Sequence, residues 1–377
     1  MKTNFTLILA ILLFSFSAFA TSRTVSNDPN NPAQYNNLQT AINAASAGDT
    51  IYIQATYVTI QGGQVQNGGS NYGNITVNKR LVLIGSGYNP NQDIAYVSTV
   101  GNVTFDTTTA TVGVPASGAS GSVISGLIVW GSIGTSGNYN NTFRANNITI
   151  QRCWITSTVY MYNTNNTVIQ QNVMAGGNNN GGPSTEIGNT TNIVIRNNIF
   201  AYQISTYPGS NPVNCIITNN NFIGYVTSAN TASYAAFSSY YATFTNAIIT
   251  NNIFYAVDPT GVSNSTFNNN ITFADANPTL PGSSNIGSGN LVNTNPQFTS
   301  YPLGSAWYNT TQNFQLAAGS PGKNAGTDGT DIGIYGGIGF VATGAPNVPY
   351  IEHFVISNSS ISVGQNLNVT IEAKAQK

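Results

Sequence analysis

Along most of the chain, apolar and polar residues alternate in short bursts built on one recurring frame. NIVIRNNIF (192–200), NCIITNNNF (214–222) and NAIITNNIF (246–254) are near copies. NITIQRCWI from Asn147, NTVIQQNVM from Asn166 and NSTFNNNIT from Asn264 are looser ones. Within a copy, Ile193 and Ile195 fall on one side and Val194 and Arg196 on the other, which is the period of a strand and not of a helix. The opening Asn stands at 74, 102, 147, 166, 192, 214, 246 and 264, with Gly121 of GSVISGLIV in its place once. The intervals are uneven, so loops vary while one element stays constant. That leaves too little chain for a crossover helix between strands. The pattern predicts a parallel β-solenoid in which each coil stacks on the last.

The second Asn of the frame has a physical reason. After the strand the chain turns sharply, and one residue of the turn needs a left-handed conformation that Asn accepts at low cost. Identical amides stacked about every 4.8 Å can each donate to the next coil and accept from the previous one. Asn172, Asn198, Asn220, Asn252 and Asn270 are expected to form that column, with Cys153 replacing it in one coil. They are read as a fold device and not as ligand contacts.

The ends depart from the repeat. In NNLQTAINAASAGDTIYI, Leu38, Ile42 and Ala45 recur at helical spacing. They predict a capping helix of about three turns, closed by Gly48 and followed by a strand from Ile51. Residues 21–47 thus form an N-terminal segment with its helix, and 48–340 the β-helix. Residues 347–377 lack the repeat and predict a hairpin of strands near 350–357 and 366–373, with its turn centred on Gly364. A hairpin that small needs support, and an open last coil needs covering. The economical expectation is that the tail caps the coil containing DIGIYGG (331–337). The alternative is a docking or sorting element.

LQTAINAASAGDTIYI followed by NITVNKRLVLIGSG (74–87) resembles the opening of secreted right-handed parallel β-helix proteins of the pectate-lyase-like superfamily. GNLVNTNPQF (289–298), NFQLAAGSPGKNAG (313–326) and DIGIYGG resemble the closing coils of bacterial β-helix repeat proteins. The segment from Val348 to Lys377 resembles the short C-terminal tail of secreted proteins of the Bacteroidetes group. Together the β-helix motifs span roughly residues 35–340. The resemblance implies an all-β, right-handed parallel β-helix. It leaves activity open, because this architecture hosts lyases, hydrolases, adhesins and inert spacers alike.

Composition narrows the function. Only 6% of residues are charged and the net charge is −1, so no basic face for nucleic acid is available. With 55 Asn and 38 Gly, residues that tolerate left-handed turns are plentiful. Residues 1–20 read as a secretory signal: Lys2, an apolar run from Leu7 to Phe16, then Ala18-Phe19-Ala20 as a cleavage site. No further apolar stretch is long enough to cross a bilayer, so the mature chain is expected to carry no membrane span. It should be secreted or held at the cell surface. Cys153 and Cys215 fall three coils apart, about 14 Å, too far for a disulfide.

The superfamily resemblance implies clustered acids for Ca²⁺ with a Lys or Arg base in a lyase, or paired carboxylates in a hydrolase. Between 121 and 300 the chain offers only Arg144, Arg152, Glu186, Arg196, Asp258 and Asp275, and no two of the acids are near in sequence. No catalytic residue and no cofactor is assigned. Asp328 and Asp331 of GTDGTDIG are the one close acidic pair, read as turn residues accepting backbone N–H bonds, with a weak Ca²⁺ site as the alternative. GSG at 85–87 reads as a plain turn, and His353 as a surface residue of the tail. Tyr160 and Tyr162 in STVYMYN are expected to face outward on one strand, about 7 Å apart, as a stacking platform for sugar rings. The sequence therefore favours a non-catalytic secreted protein that binds polysaccharide, or acts as an adhesive or structural element. The alternative is a diverged polysaccharide lyase or glycoside hydrolase. An ice- or mineral-binding surface would need regular Thr ranks, which the uneven coils argue against.

Overall fold

A computed structural model describes residues 20–374 except 58, 62–63, 67–70, 90–95, 106–117, 136–144, 177–183, 208–209, 211, 225–233, 239–243, 275–278, 283, 302–311, 357–363, 365 and 368. The signal-peptide reading of residues 1–20 therefore lies almost wholly outside the described residues.

The chain is a right-handed parallel β-helix. Among the described residues, three parallel sheets of ten, eight and seven strands run its length. One full coil contributes Thr191–Arg196 to the ten-stranded sheet, Ile199–Phe200 to the eight-stranded and Ile204–Thr206 to the seven-stranded. Register is unbroken from coil to coil: Ile150, Ile169, Ile195, Ile217, Ile249 and Phe267 lie in one inward column. Phe200, Phe222 and Phe254 stack behind it with ring centroids 4.9 and 5.0 Å apart. These rings are fully buried, and stacking of like side chains is what in-register parallel strands impose.

Each turn of the frame uses two left-handed residues. One is the opening Asn, as at Asn192 and Asn214. The other immediately precedes the column residue: Arg152, Gln171, Asn197, Asn219, Asn251 and Asn269 all have φ between 52° and 59°. The column itself is continuous. The Nδ2 of Asn172, Asn198, Asn220 and Asn252 each donates to the Oδ1 of the next coil's Asn at 3.0–3.1 Å. Asn270 donates likewise to Asn290, at 3.0 Å. The second Nδ2 proton goes to a carbonyl of the preceding coil, as from Asn198 to Ile169. Cys153 closes the other end, its N–H donating to Asn172 Oδ1 at 2.9 Å. Asn290 escapes the sequence frame because Ser284 and Gly289 hold its two left-handed positions.

The N-terminal boundary is corrected. Ser22–Val25 pairs in parallel with Thr50–Ile53, so residues 21–47 already contain the first rung of the ten-stranded sheet. The helix is Leu38–Ala44, shorter than its apolar spacing suggests, with Asn37 capping Thr40 N–H. Ala45 ends it, where the Lys79 ammonium takes the carbonyls of Asn43 and Ala45. Gly48 belongs to the following turn. Leu38, Ala41 and Ile42 are buried against the first coils, as a cover for that end requires.

The far end departs further. Among the described residues the parallel strands stop at Ile271–Phe273, with single bridges from Thr266 to Ile286 and from Ile271 to Leu291. Phe298–Ser300 and Asn313–Leu316 then pair antiparallel. Residues 322–347 are not coils: they run back along the outside of the eight-stranded sheet as a strap. Asn269 Nδ2 holds Ala325 O, Asn251 Nδ2 holds Thr327 Oγ1, and Asn197 Nδ2 holds both Ile334 O and Gly336 O. Gln171 Nε2 holds Gly339 O, and Arg152 Nη1 holds Ala345 O and Asn347 Oδ1. The residues that supply the left-handed turns thus also grip the strap. Beneath it, Ile128, Trp154, Val173, Ile199, Ile253 and Ile271 pack with Ile332, Ile334 and Phe340 in a second apolar core. DIGIYGG is therefore the middle of the strap and not a closing coil. The tail leaves from Asn347, beside Arg152, so its hairpin of Tyr350–Ile356 and Val369–Lys374 begins several coils away from the end it was expected to cap.

Candidate functional site

The sequence-expected Tyr160 and Tyr162 lie on the seven-stranded sheet. Val159 and Met161 point into the core, which places Tyr160 and Tyr162 on the outer side of the same strand. Register sets Glu186 directly beside Tyr160 on the next coil, and Ser205 beside Glu186 on the coil after. Tyr207 follows that strand. The Tyr160 and Tyr162 rings lie 5.8 Å apart at 31°, and Tyr207 meets Tyr162 edge-on at 5.7 Å.

The two tyrosines are not equivalent, which corrects the simple platform. Tyr162 is only 7% exposed. Its ring lies over Gly188, where a Cβ would come within 2.7 Å of it, and its hydroxyl donates to Glu186 Oε1 at 2.8 Å. Tyr162 is therefore a supporting residue. Tyr160, Glu186 and Tyr207 are partly exposed and form the accessible row. Burial pushes the Glu186 carboxyl above its usual range, and the Tyr162 hydroxyl offsets part of that rise. The Ser205 hydroxyl, buried next to Glu186, has no hydrogen-bond partner among the described residues.

Sequence reading singles out Glu186 only as an isolated acid and passes over Ser205 and Tyr207. The signal is partial: Tyr160 and Ser205 each follow their column residue, Cys153 and Asn198, by seven positions, whereas Glu186 follows Asn172 by fourteen. What blocks the inference is loop length, since the chain between Tyr160 and Glu186 is longer than that between Glu186 and Ser205.

The other candidates are occupied structurally. Asp331 pairs with Lys323 at 2.9 Å and accepts the Asn324 N–H, while Asp328 accepts from the N–H and hydroxyl of Thr330. Both carboxylates thus brace the bend that starts the strap, and among the described residues no group of three His, Cys, Asp or Glu could hold a metal ion. Glu186 and Asp258 remain three coils apart in register. Cys153 and Cys215 are buried free thiols, and burial pushes each up to about 12. Gly87 of GSG is where the strap lands, since a Cβ there would meet Thr343 O at 2.8 Å.

No protein-family model and no curated protein matches the chain. Among solved structures, the crystal structure of pectate lyase Pel9A is similar, with 13% identity and a TM-score of 0.38 over 85% of this chain and 97% of that one. At that score the likeness adds nothing to the fold, which rests on the strand pairing above.

Proposed function

We propose that the chain is an exported, non-catalytic carbohydrate-binding β-helix protein whose ligand lies on the Tyr160–Glu186–Tyr207 row. The observation that carries this reading is the row itself. A partly exposed tyrosine ring beside a partly exposed carboxylate matches the two faces of a sugar, its apolar C–H face and its polar edge. A row that runs across successive coils suits a polymer more than a single sugar. The absence of catalytic work is supported by the distances between acids. Among the described residues Glu186 has no second carboxylate in register within two coils, whereas glycosidic hydrolysis needs a facing pair. The apolar run at 7–16 and the Ala18-Phe19-Ala20 site support export.

A glycan-array screen of the chain lacking residues 1–20 tests the reading. Tyr160→Ala should weaken the bound glycan about tenfold or more while leaving the melting temperature nearly unchanged. Equal binding by the variant would remove the row from the site. Incubation with pectate or alginate and millimolar Ca²⁺ should release neither unsaturated product nor reducing ends. Turnover abolished by Glu186→Gln would instead establish a catalytic role.

A further inference from the structure

Resting on the proposed glycan reading, we infer that the row selects a sugar carrying a protonated amine, and that a polymer of amino sugars in its cationic form is the class of ligand it takes. Glu186 presents a carboxylate with one oxygen held by Tyr162 and the other without a hydrogen-bond partner among the described residues. Among the described residues it also pairs with no Lys or Arg. The outward row Thr76, Thr104, Gly134, Tyr160, Glu186 and Ser205 contains no Lys or Arg, and neither does the adjacent row of Tyr162, Gly188 and Tyr207.

Five of the described cations are engaged elsewhere. Arg23 pairs with Asp49, Lys79 takes the helix carbonyls, Arg152 holds the strap, Arg196 donates to Gln170 on the ten-stranded sheet, and Lys323 pairs with Asp331. A partly buried carboxylate with no cation beside it among the described residues is left uncompensated, and a cationic ligand would supply the partner. The surrounding rings supply the same preference, because the negative face of a tyrosine attracts an ammonium. A uronate would bring like charge to Glu186 with no cation in these rows to neutralise it.

Calorimetry on the full chain with three oligomers of matched length decides the matter: β-1,4-linked glucosamine, its N-acetylated counterpart, and galacturonate. The glucosamine oligomer should bind about tenfold or more tightly than the acetylated one, and the galacturonate should not bind. Affinity for the amine should rise with pH as Glu186 ionises and fall again as the amine loses its proton. The described groups facing Glu186 are Tyr160 and Tyr162 from one side and Ser205 and Tyr207 from the other, none of them a carboxylate, amine or imidazole, so the rising limb belongs to Glu186. Glu186→Gln retains an acceptor for the Tyr162 hydroxyl but removes the charge. It should abolish the preference for the amine and flatten the rising limb. Equal affinity for amine and acetamide, or a preference untouched by Glu186→Gln, overturns the inference. If Tyr160→Ala still abolishes binding in that case, the glycan reading stands without it. If Tyr160→Ala binds every oligomer like the parent chain, both fall.

Discussion

At the scale of single residues, the asparagines separate into roles that the repeated letters do not announce. Asn198 is a satisfied, fully buried amide. Its Oδ1 accepts from both the N–H and the Nδ2 of Asn172, and its own Nδ2 serves Asn220 and Ile169 O. Asn198→Leu strands partners on three coils and should cost about 3 kcal/mol or more in denaturant melts. Arg196 lies two residues away with a partly exposed side chain on Gln170, and Arg196→Ala should cost under about 0.5 kcal/mol. That contrast was legible in the sequence, because strand alternation fixes which residues face in. Asp49 was not. Burial alone would raise its carboxyl, but the N–H groups of Thr21 and Ser46 and the Arg23 guanidinium outweigh that and hold it well below the usual carboxylate range. A depressed folded value means that the stabilisation is complete above the unfolded value of about 4 and is lost as pH falls below it. Melting temperature should therefore fall on acidification below about pH 4, and Asp49→Asn should melt lower at pH 7 with a flatter acid limb. A parent and variant with parallel acid limbs would show that other carboxylates control the acid response. Asp49 escapes sequence reading because its Arg23 partner comes from an upstream strand that no repeat frame marks.

At the scale of elements, the strap is the feature the sequence concealed, and its signature was there. The pair following the ladder residue is apolar at both positions in most coils, as in Val173-Met174, Ile199-Phe200 and Ile253-Phe254, with Asn221 and Thr272 the exceptions. A strand with one wet face alternates, whereas two consecutive apolar residues in a strand this short mean that both faces are buried. The repeat marks the inner face, and the paired apolar residues mark a buried outer one. The grip is equally indirect, since the side chain of a left-handed turn residue must point out of the coil to reach a neighbour. Asn197 does both jobs, which two substitutions can separate. Asn197→Gly keeps the left-handed backbone and removes only the bonds to Ile334 and Gly336, so it should cost about 1–2 kcal/mol. Asn197→Ala also strains the turn and should cost about 1 kcal/mol more. Amide exchange at residues 334–340 should quicken in both. If exchange there is unchanged, the strap is held by its apolar contacts and the amide grip is incidental.

At the scale of the whole molecule, the strap changes what the two termini of the solenoid require. A β-helix needs its ends covered, and sequence reasoning assigned the far cover to the tail because the tail alone broke the repeat there. The fold answers differently. The chain turns at Gly322–Asp331, folds back over several coils, and releases the hairpin from Asn347, beside Arg152. The hairpin pairs strand with strand, and Leu367, Val369 and Ile371 are exposed. Its removal should therefore cost the body little, whereas removal of the strap uncovers Ile128, Trp154, Val173, Ile199 and Ile253 together. Each buried aliphatic or aromatic side chain contributes about 1.5–3 kcal/mol as an upper bound, so their joint exposure amounts to several kcal/mol. It would also create a continuous apolar face on a sheet, which drives association. A chain ending at Asn347 should melt with the full chain and stay in the same oligomeric state. One ending at Pro321 should melt lower and associate as concentration rises. Ile334→Asp in the full chain puts a charge into the same interface and should reproduce the lowered melting point without any truncation. A chain ending at Asn347 that melts as low as the one ending at Pro321 would return the stabilising role to the hairpin.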